Sequence, residues 1–329
     1  MKNFINRVDT VLEESLDGFV AAHADIVVLG EDYEFVRRKH VKAGKVALIS
    51  GGGAGHEPLH AGFVGHGMLD AACPGQVFTS PTPNQMLSAA NAVDSGAGVL
   101  FIVKNYSGDM MNFHMAAELL SQENATVIVN DDVAVENSTH TTGRRGVAGT
   151  LIVEKILGAA AERGYSLGQL KVLGDVVNKS TASMGVALTS CTVPAAGKPT
   201  FQISAADMEI GVGIHGEPGR RRVPLASADA IATELTEAVI KDLSLQSGHE
   251  VILLVNGFGG TPMLELYLMV NAACKVLASS GVRVVRYLTG SYVTSLEMAG
   301  CSITVTLADA EILEMWDAAV HTPALRWGM

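Results

Sequence analysis

The sequence predicts an α/β protein built as two α/β domains, each a mixed sheet flanked by helices. Three observations carry this. From about residue 45 onward, short apolar runs of strand length alternate with helical stretches, as layered sheets and helices require. Two helices open on a hydroxyl followed by proline, Thr82-Pro83 and Thr261-Pro262, a capping oxygen ahead of a ring already set to helical φ. The chain of 329 residues also exceeds what one hydrophobic core usually serves.

In chain order, Lys45–Ser50 reads as a buried strand stopped by Gly51-Gly52-Gly53. A helix follows from Thr82-Pro83 to about Val93, then a strand over Gly98–Tyr106, with Ser107-Gly108-Asp109 turning into a helix through Leu120. Ala125–Val129 is a strand and Arg145–Arg163 an apolar helix. Met184–Thr192 and Met208–Ile214 read as strands, Ala228–Asp242 as a helix and His249–Asn256 as a strand. The helix opened by Thr261-Pro262 reaches about Ser279, and Val282–Leu288 closes the series as a strand. The polar stretch Asn178–Ser183 and the Gly- and Pro-containing Cys191–Pro199 mark the division, placed near residue 182. The expected domains are therefore 1–182, carrying the glycine-rich loop and Asp109, and 183–329, carrying His215.

Composition narrows the function classes. A formal charge of −11 argues against nucleic acid and anionic membrane surfaces, which need a basic footprint. No apolar run reaches the roughly 20 residues of a membrane span, and the first residues lack a signal-peptide core. Cys73, Cys191, Cys274 and Cys301 show no CxxC spacing, so neither a zinc site nor a disulfide frame is indicated. A cytoplasmic protein handling a small molecule is expected.

Two histidine signatures stand out: Gly55-His56-Glu57-Pro58 behind the triple glycine, and Ile214-His215-Gly216-Glu217-Pro218. Glycine around each imidazole permits close backbone approach of a small molecule. The run Ser50–Pro58 follows a strand, where α/β folds place ligands. It is not a P-loop, because no Gly-Lys-Ser/Thr closes it. A tight structural turn is as good a reading of that run taken alone. Asp109, at a strand-to-helix turn, reads either as a helix cap or as a general base for hydroxyl chemistry. His215, mostly neutral at pH 7, is available as nucleophile, base or ligand. Asn130-Asp131-Asp132 reads as a cation site or, more simply, an acidic loop. Arg144-Arg145 and Arg220-Arg221-Arg222 read as anion-binding or as surface charge. The remaining histidines, His60 and His140 among them, show no metal-site spacing.

Taken together, S-G-G-G-A-G-H-E-P-L-H, P-G-Q-V-F-T-S-P-T-P, V-K-N-Y-S-G-D, T-G-R-R-G-V-A-G-T, C-T-V-P-A-A-G-K-P, G-V-G-I-H-G-E-P-G and W-D-A-A-V-H-T-P-A-L-R-W-G resemble the K-subunit family of dihydroxyacetone kinases, in its stand-alone, phosphotransferase-system-dependent form. The match runs the length of the chain. The resemblance implies that His215 attacks the substrate carbonyl to form a covalent hemiaminal, that His56 hydrogen-bonds near the reacting hydroxyl, and that Asp109 is the general base. It implies that Gly53 supplies backbone donors and that Ser80 and Lys104 line the pocket. No cofactor or metal is expected in this chain. ADP or ATP with magnesium is expected on a partner L subunit, recharged in the bacterial branch by a phosphotransferase-system phosphocarrier. The K chain alone is then expected to bind ketone without phosphorylating it, and a homodimer is expected. One departure is the short connection between the Ala228–Asp242 helix and the strand at His249, where some relatives carry a longer excursion; it touches partner contacts, not the pocket.

Two alternatives stay open. One is a non-catalytic ketone-binding coactivator or sensor, against which the joint presence of His56, Asp109 and His215 argues. The other is the same chemistry on a four-carbon ketose such as erythrulose.

Overall fold

A computed structural model describes residues 3–134, 143–217 and 219–329. His140 and Pro218 lie outside the described residues. The elements run α1 (Val11–Ala22), β1 (Val27–Leu29), β2 (Val36–Arg38), β3 (Ala47–Ala54), β4 (Ala71–Val77), α2 (Pro83–Val93), β5 (Val99–Lys104), α3 (Ser107–Leu119), β6 (Asn124–Val129), α4 (Gly149–Glu162) and α5 (Leu167–Lys179). There follow β7 (Thr181–Ala187), β8 (Asp207–Ile210), β9 (Arg221–Pro224), α6 (Ala228–Asp242), β10 (Glu250–Gly257), α7 (Met263–Ser279), β11 (Arg283–Gly290), β12 (Gly300–Leu307), α8 (Ala310–Trp316), β13 (Val320–His321) and β14 (Arg326–Trp327).

The chain forms two compact units, each with a six-stranded sheet. The first comprises 1–129, 153–176 and 314–329, the second 130–152 and 177–313. A single cut near residue 182 is thus replaced by a discontinuous division, because α4 and α5 each carry residues of both units and the C-terminal segment belongs to the first. The glycine run and Asp109 fall in one unit and His215 in the other.

In the first unit the order is β1-β2-β4-β3-β5-β6. β4, β3, β5 and β6 run parallel, and β2 runs antiparallel to both β4 and the edge strand β1. The chain passes from β3 to β4 on one side and reaches β5 on the other, so the carboxyl ends of β3 and β5 form the switch point where open α/β sheets bind ligands. Every residue of β3 and β5 is buried, as strands covered on both faces demand. Ala47, Ile49, Phe101 and Val103 pack on Met86, Ala90 and Phe113 of α2 and α3. α2 begins with the expected cap, Thr82 and Gln85 closing a capping box with Pro83 at the first helical position.

The second unit orders its strands β11-β10-β12-β7-β8-β9, antiparallel except for β10 beside β11. Its core joins Val251, Leu253, Ile303 and Val305 to Leu235, Val239, Leu266 and Ala273 of α6 and α7. Thr261 does not cap α7: Pro262 is the cap residue, and the Thr261 hydroxyl instead bonds the Gly300 peptide in both directions, at 2.6 and 2.8 Å.

Two other expectations shift. β3 does not stop at Gly51 but continues through the glycines to Ala54, because β4 pairs with them residue by residue. α4 begins at Gly149 rather than Arg145, since Asp131 accepts the N–H groups of Val147 and Gly149 at 2.8 and 2.7 Å. Among the described residues no helix is long and apolar enough to cross a membrane.

Candidate functional site

The triple glycine is where the first unit's chemistry begins, and its lack of side chains serves the protein itself. A methyl on Gly52 would strike the Lys104 ammonium, and one on Gly53 would sit 2.5 Å from the Thr79 backbone nitrogen. The vacated space thus seats a lysine and the turn that follows β4.

Lys104 ends β5 and is 1 % exposed. Its Nζ donates to the Gly51 carbonyl at 3.2 Å, lies 2.8 Å from His60 Nε2 and is 3.5 Å from Asp109 Oδ2. Asp109 occupies the first turn of α3 and is itself buried. The cap position of that helix is Tyr106, so Asp109 is not the cap that a bland reading would make it. Its Oδ1 has no hydrogen-bond partner among the described residues. A carboxylate with one oxygen held by an ammonium and the other unengaged is an acceptor awaiting a proton donor.

Ser80 stands beside this turn: its Oγ would lie 2.7 Å from a methyl placed on Gly108. His56 is buried and stacks on Phe78, with ring centroids 4.9 Å apart and planes 19° from parallel. Glu57 turns back so that its carboxylate accepts the Gly55 N–H at 2.9 and 3.1 Å, which fixes the loop leaving β3.

His60 and Glu154 are the residues that spacing did not reveal. His60 Nδ1 lies 2.6 Å from Glu154 Oε1, and both side chains are buried. Burial, with Lys104 and His56 nearby, holds the His60 ring well below its ordinary pKa. Burial raises Glu154, while Lys104 pulls it back toward the charged carboxylate. The one available signal is a glutamate at the centre of the apolar run of α4. An apolar cavity of about 360 Å³ also borders Gly52, Gly53 and His60, walled by Leu16 and Phe19 of α1. Asp109, Lys104, Ser80 and His56 do not line it.

In the second unit His215 lies in the connection between β8 and β9 and is partly exposed. Gly216 has φ +70°, and a methyl there would meet Thr200 Oγ1 at 2.5 Å and Cys191 Sγ at 2.7 Å. A methyl on Gly213 would meet Arg145 Nη1 at 2.6 Å and Glu217 Oε1 at 2.7 Å. The flanking glycines are therefore demanded by packing of the loop.

Arg145 anchors that loop. Buried to 1 % exposure, it bonds Asp132 Oδ2 at 2.6 Å, Glu217 Oε1 at 3.1 Å and the Gly211 carbonyl at 2.7 Å. Of Arg144-Arg145, Arg145 is an internal tie rather than surface charge, whereas the half-exposed Arg144 pairs with Asp242. Asp131 and Asp132 are consumed as helix cap and arginine partner, so they form neither a cation site nor a solvated loop. Arg220, Arg221 and Arg222 are all exposed, and Arg221 and Arg222 pair with Glu234 and Glu209. No group of three potential metal ligands occurs among the described residues.

An α/β protein with a carboxylate, an ammonium and an imidazole gathered at the ends of parallel strands is a binder of small polar molecules. The chain belongs to the Dak1 domain family, whose model matches residues 17–324. It is 47% identical to the dihydroxyacetone-binding subunit DhaK of the PEP-dependent dihydroxyacetone kinase of Escherichia coli strain K12, over all of both chains. Among solved structures, the dihydroxyacetone kinase of C. freundii with AMP-PNP and Mg2+ superposes with a TM-score of 0.91 at 33% identity, covering 99% of this chain and 61% of that one. The dihydroxyacetone kinase operon co-activator DhaQ superposes equally well, TM-score 0.91 at 31% identity, covering 96% and 98%.

Proposed function

We propose that this chain is the dihydroxyacetone-binding subunit of a dihydroxyacetone kinase, which holds the ketone while a separate nucleotide-carrying L subunit phosphorylates one terminal hydroxyl. The observation that carries the reading is Asp109: buried, paired through Oδ2 with Lys104, and with Oδ1 unengaged among the described residues. As the hydroxyl oxygen attacks phosphorus, its proton passes to Asp109, and the phosphoryl group leaves its carrier for that oxygen, giving dihydroxyacetone phosphate. His215 adds across the ketone carbonyl, its nitrogen to carbon and a proton to oxygen, so the substrate is held as a hemiaminal with one hydroxyl presented. His56 bonds near that hydroxyl, and Gly53, Ser80 and Lys104 complete the contacts.

Nucleotide and magnesium belong, in this reading, to the L subunit, with a phosphotransferase-system phosphocarrier recharging it in the cytoplasm. The PEP-dependent kinase to which the Escherichia coli relative belongs supports this choice of donor. The chain pairs with a second copy, which sedimentation would test.

The likeness to the co-activator favours a second reading, a ketone sensor without catalysis. Asp109→Asn separates the two. With L subunit and phosphoryl donor present, turnover falls by about 10²–10⁴-fold, while a dihydroxyacetone adduct on His215, seen by crystal soak and absent in His215→Ala, persists. Wild-type turnover in Asp109→Asn removes the base assignment, and a wild-type chain that binds ketone but never transfers phosphate identifies the sensor.

A further inference from the structure

We propose that Glu154 and His60 are positioning residues of the phosphoryl-accepting site: the buried carboxylate fixes the tautomer of His60, and His60 fixes the Lys104 ammonium against Asp109. The inference deepens the kinase reading and rests on it.

Donor arithmetic carries the argument. An ammonium has three N–H groups and no lone pair. Three acceptors surround Lys104 Nζ: the Gly51 carbonyl at 3.2 Å, His60 Nε2 at 2.8 Å and Asp109 Oδ2 at 3.5 Å. His60 Nε2 must therefore accept, and in a neutral ring the proton then sits on Nδ1. That nitrogen faces Glu154 Oε1 at 2.6 Å, which accepts it. Burial beside Lys104 keeps the ring neutral, as the arrangement requires.

The four side chains come from four places: the segment after β3, the end of β5, the first turn of α3 and the middle of α4. Each is at most 6 % exposed. A leucine at position 154 would suit the apolar run around it better than a carboxylate taken out of water. What the carboxylate supplies is direction. With the proton on Nε2 instead, His60 would present a donor to a donor and push Lys104 away from Asp109. During transfer Asp109 changes from charged to neutral, and a stationary ammonium beside it avoids reorganisation at that moment.

One other arrangement has the same number of protons: neutral Lys104 accepting from His60 Nε2–H, with protonated Glu154 donating to Nδ1. Spectra of the full-length protein labelled with 15N-histidine distinguish the two. The proposal expects the His60 proton on Nδ1, shifted strongly downfield, and loss of that signal in Glu154→Ala. With L subunit and phosphoryl donor, Glu154→Ala and His60→Ala lower kcat by about 10-fold or more. Ketone affinity stays within about threefold, because capture is assigned to His215. Glu154→Gln, whose amide oxygen still accepts from Nδ1–H, recovers most of that loss. A proton on Nε2, an equal loss of kcat and ketone affinity, or unchanged kcat overturns the proposal. Should Glu154→Ala fail to fold, the wild-type tautomer and the glutamine variant still decide it. Absence of turnover in the wild type would instead remove the kinase reading, with the tautomer still testing the pair.

Discussion

Each glycine of the Gly51–Gly53 run answers to a different neighbour, and that makes Gly52 a sharp probe. A methyl there meets the tip of Lys104, a flexible side chain, rather than backbone. Gly52→Ala should therefore fold with a stability loss under about 1.5 kcal/mol. It should nevertheless lower turnover by about 10²-fold, because the ammonium must move by an ångström or so. Gly216 behaves differently. Its φ of +70° and its contacts with Thr200 and Cys191 leave a methyl no cheap way out. Gly216→Ala should cost about 1–3 kcal/mol in urea unfolding and disturb ketone capture with it. Equal stability losses in the two variants would contradict this distinction.

Among elements, the segment that leads into α4 and the loop carrying His215 are tied by one arginine within the second unit. Arg145 holds Asp132, Glu217 and the Gly211 carbonyl. Replacing it by methionine strands two carboxylates, and Arg145→Met should destabilise the protein by about 3–5 kcal/mol, read from chemical denaturation. The pH dependence has a definite sign. Burial raises Asp132 to about 6 despite the pull of Arg145. Between its ordinary pKa, 3.8, and about 6 the folded state holds more protons than the unfolded one. Its contribution is therefore fully present below that window and is lost as pH rises through about 6. Without the guanidinium the upper limit moves higher, so the stability difference between variant and wild type should widen between pH 6 and 8. A difference flat across that range would mean that Asp132 does not titrate there.

The same elements show what the sequence could and could not reveal. Thr82-Pro83 located α2 because a capping hydroxyl followed by proline is local chemistry, and α6 spans the Ala228–Asp242 read for it. Asp109, His56 and His215 drew notice as candidates because each follows a strand among distinctive neighbours, in the first turn of α3, the loop after β3 and the connection between β8 and β9. β4, α5, β12 and α8 went unread, as did the elements before residue 45 and β9, β13 and β14; the glycine and prolines around β4 mimic a turn. Glu154 and His60 are 94 residues apart, and their pairing exists only once α4 is brought against the segment after β3. Arg145 illustrates the opposite failure, since two adjacent arginines read as surface charge although one is interior.

At the scale of the whole molecule, the decisive question is where the phosphoryl group comes from. The formal charge of −11 opposes binding of a polyphosphate unless local cations gather to meet it. The first unit's Lys104 is occupied by three acceptors. In the second, Arg145, Arg221 and Arg222 are engaged by carboxylates. The run Ser50–Pro58 has no Gly-Lys-Ser/Thr to cradle phosphates. The chain alone, given dihydroxyacetone, ATP and magnesium, should therefore show no phosphoryl transfer by 31P NMR, yet should still capture the ketone. Adding L subunit and a phosphoryl donor should restore turnover, and Arg220→Glu should slow that turnover without weakening ketone binding if this exposed arginine meets the partner. Transfer from ATP by the isolated chain would show that the nucleotide site lies here after all, and would move the search to the surface around Arg220.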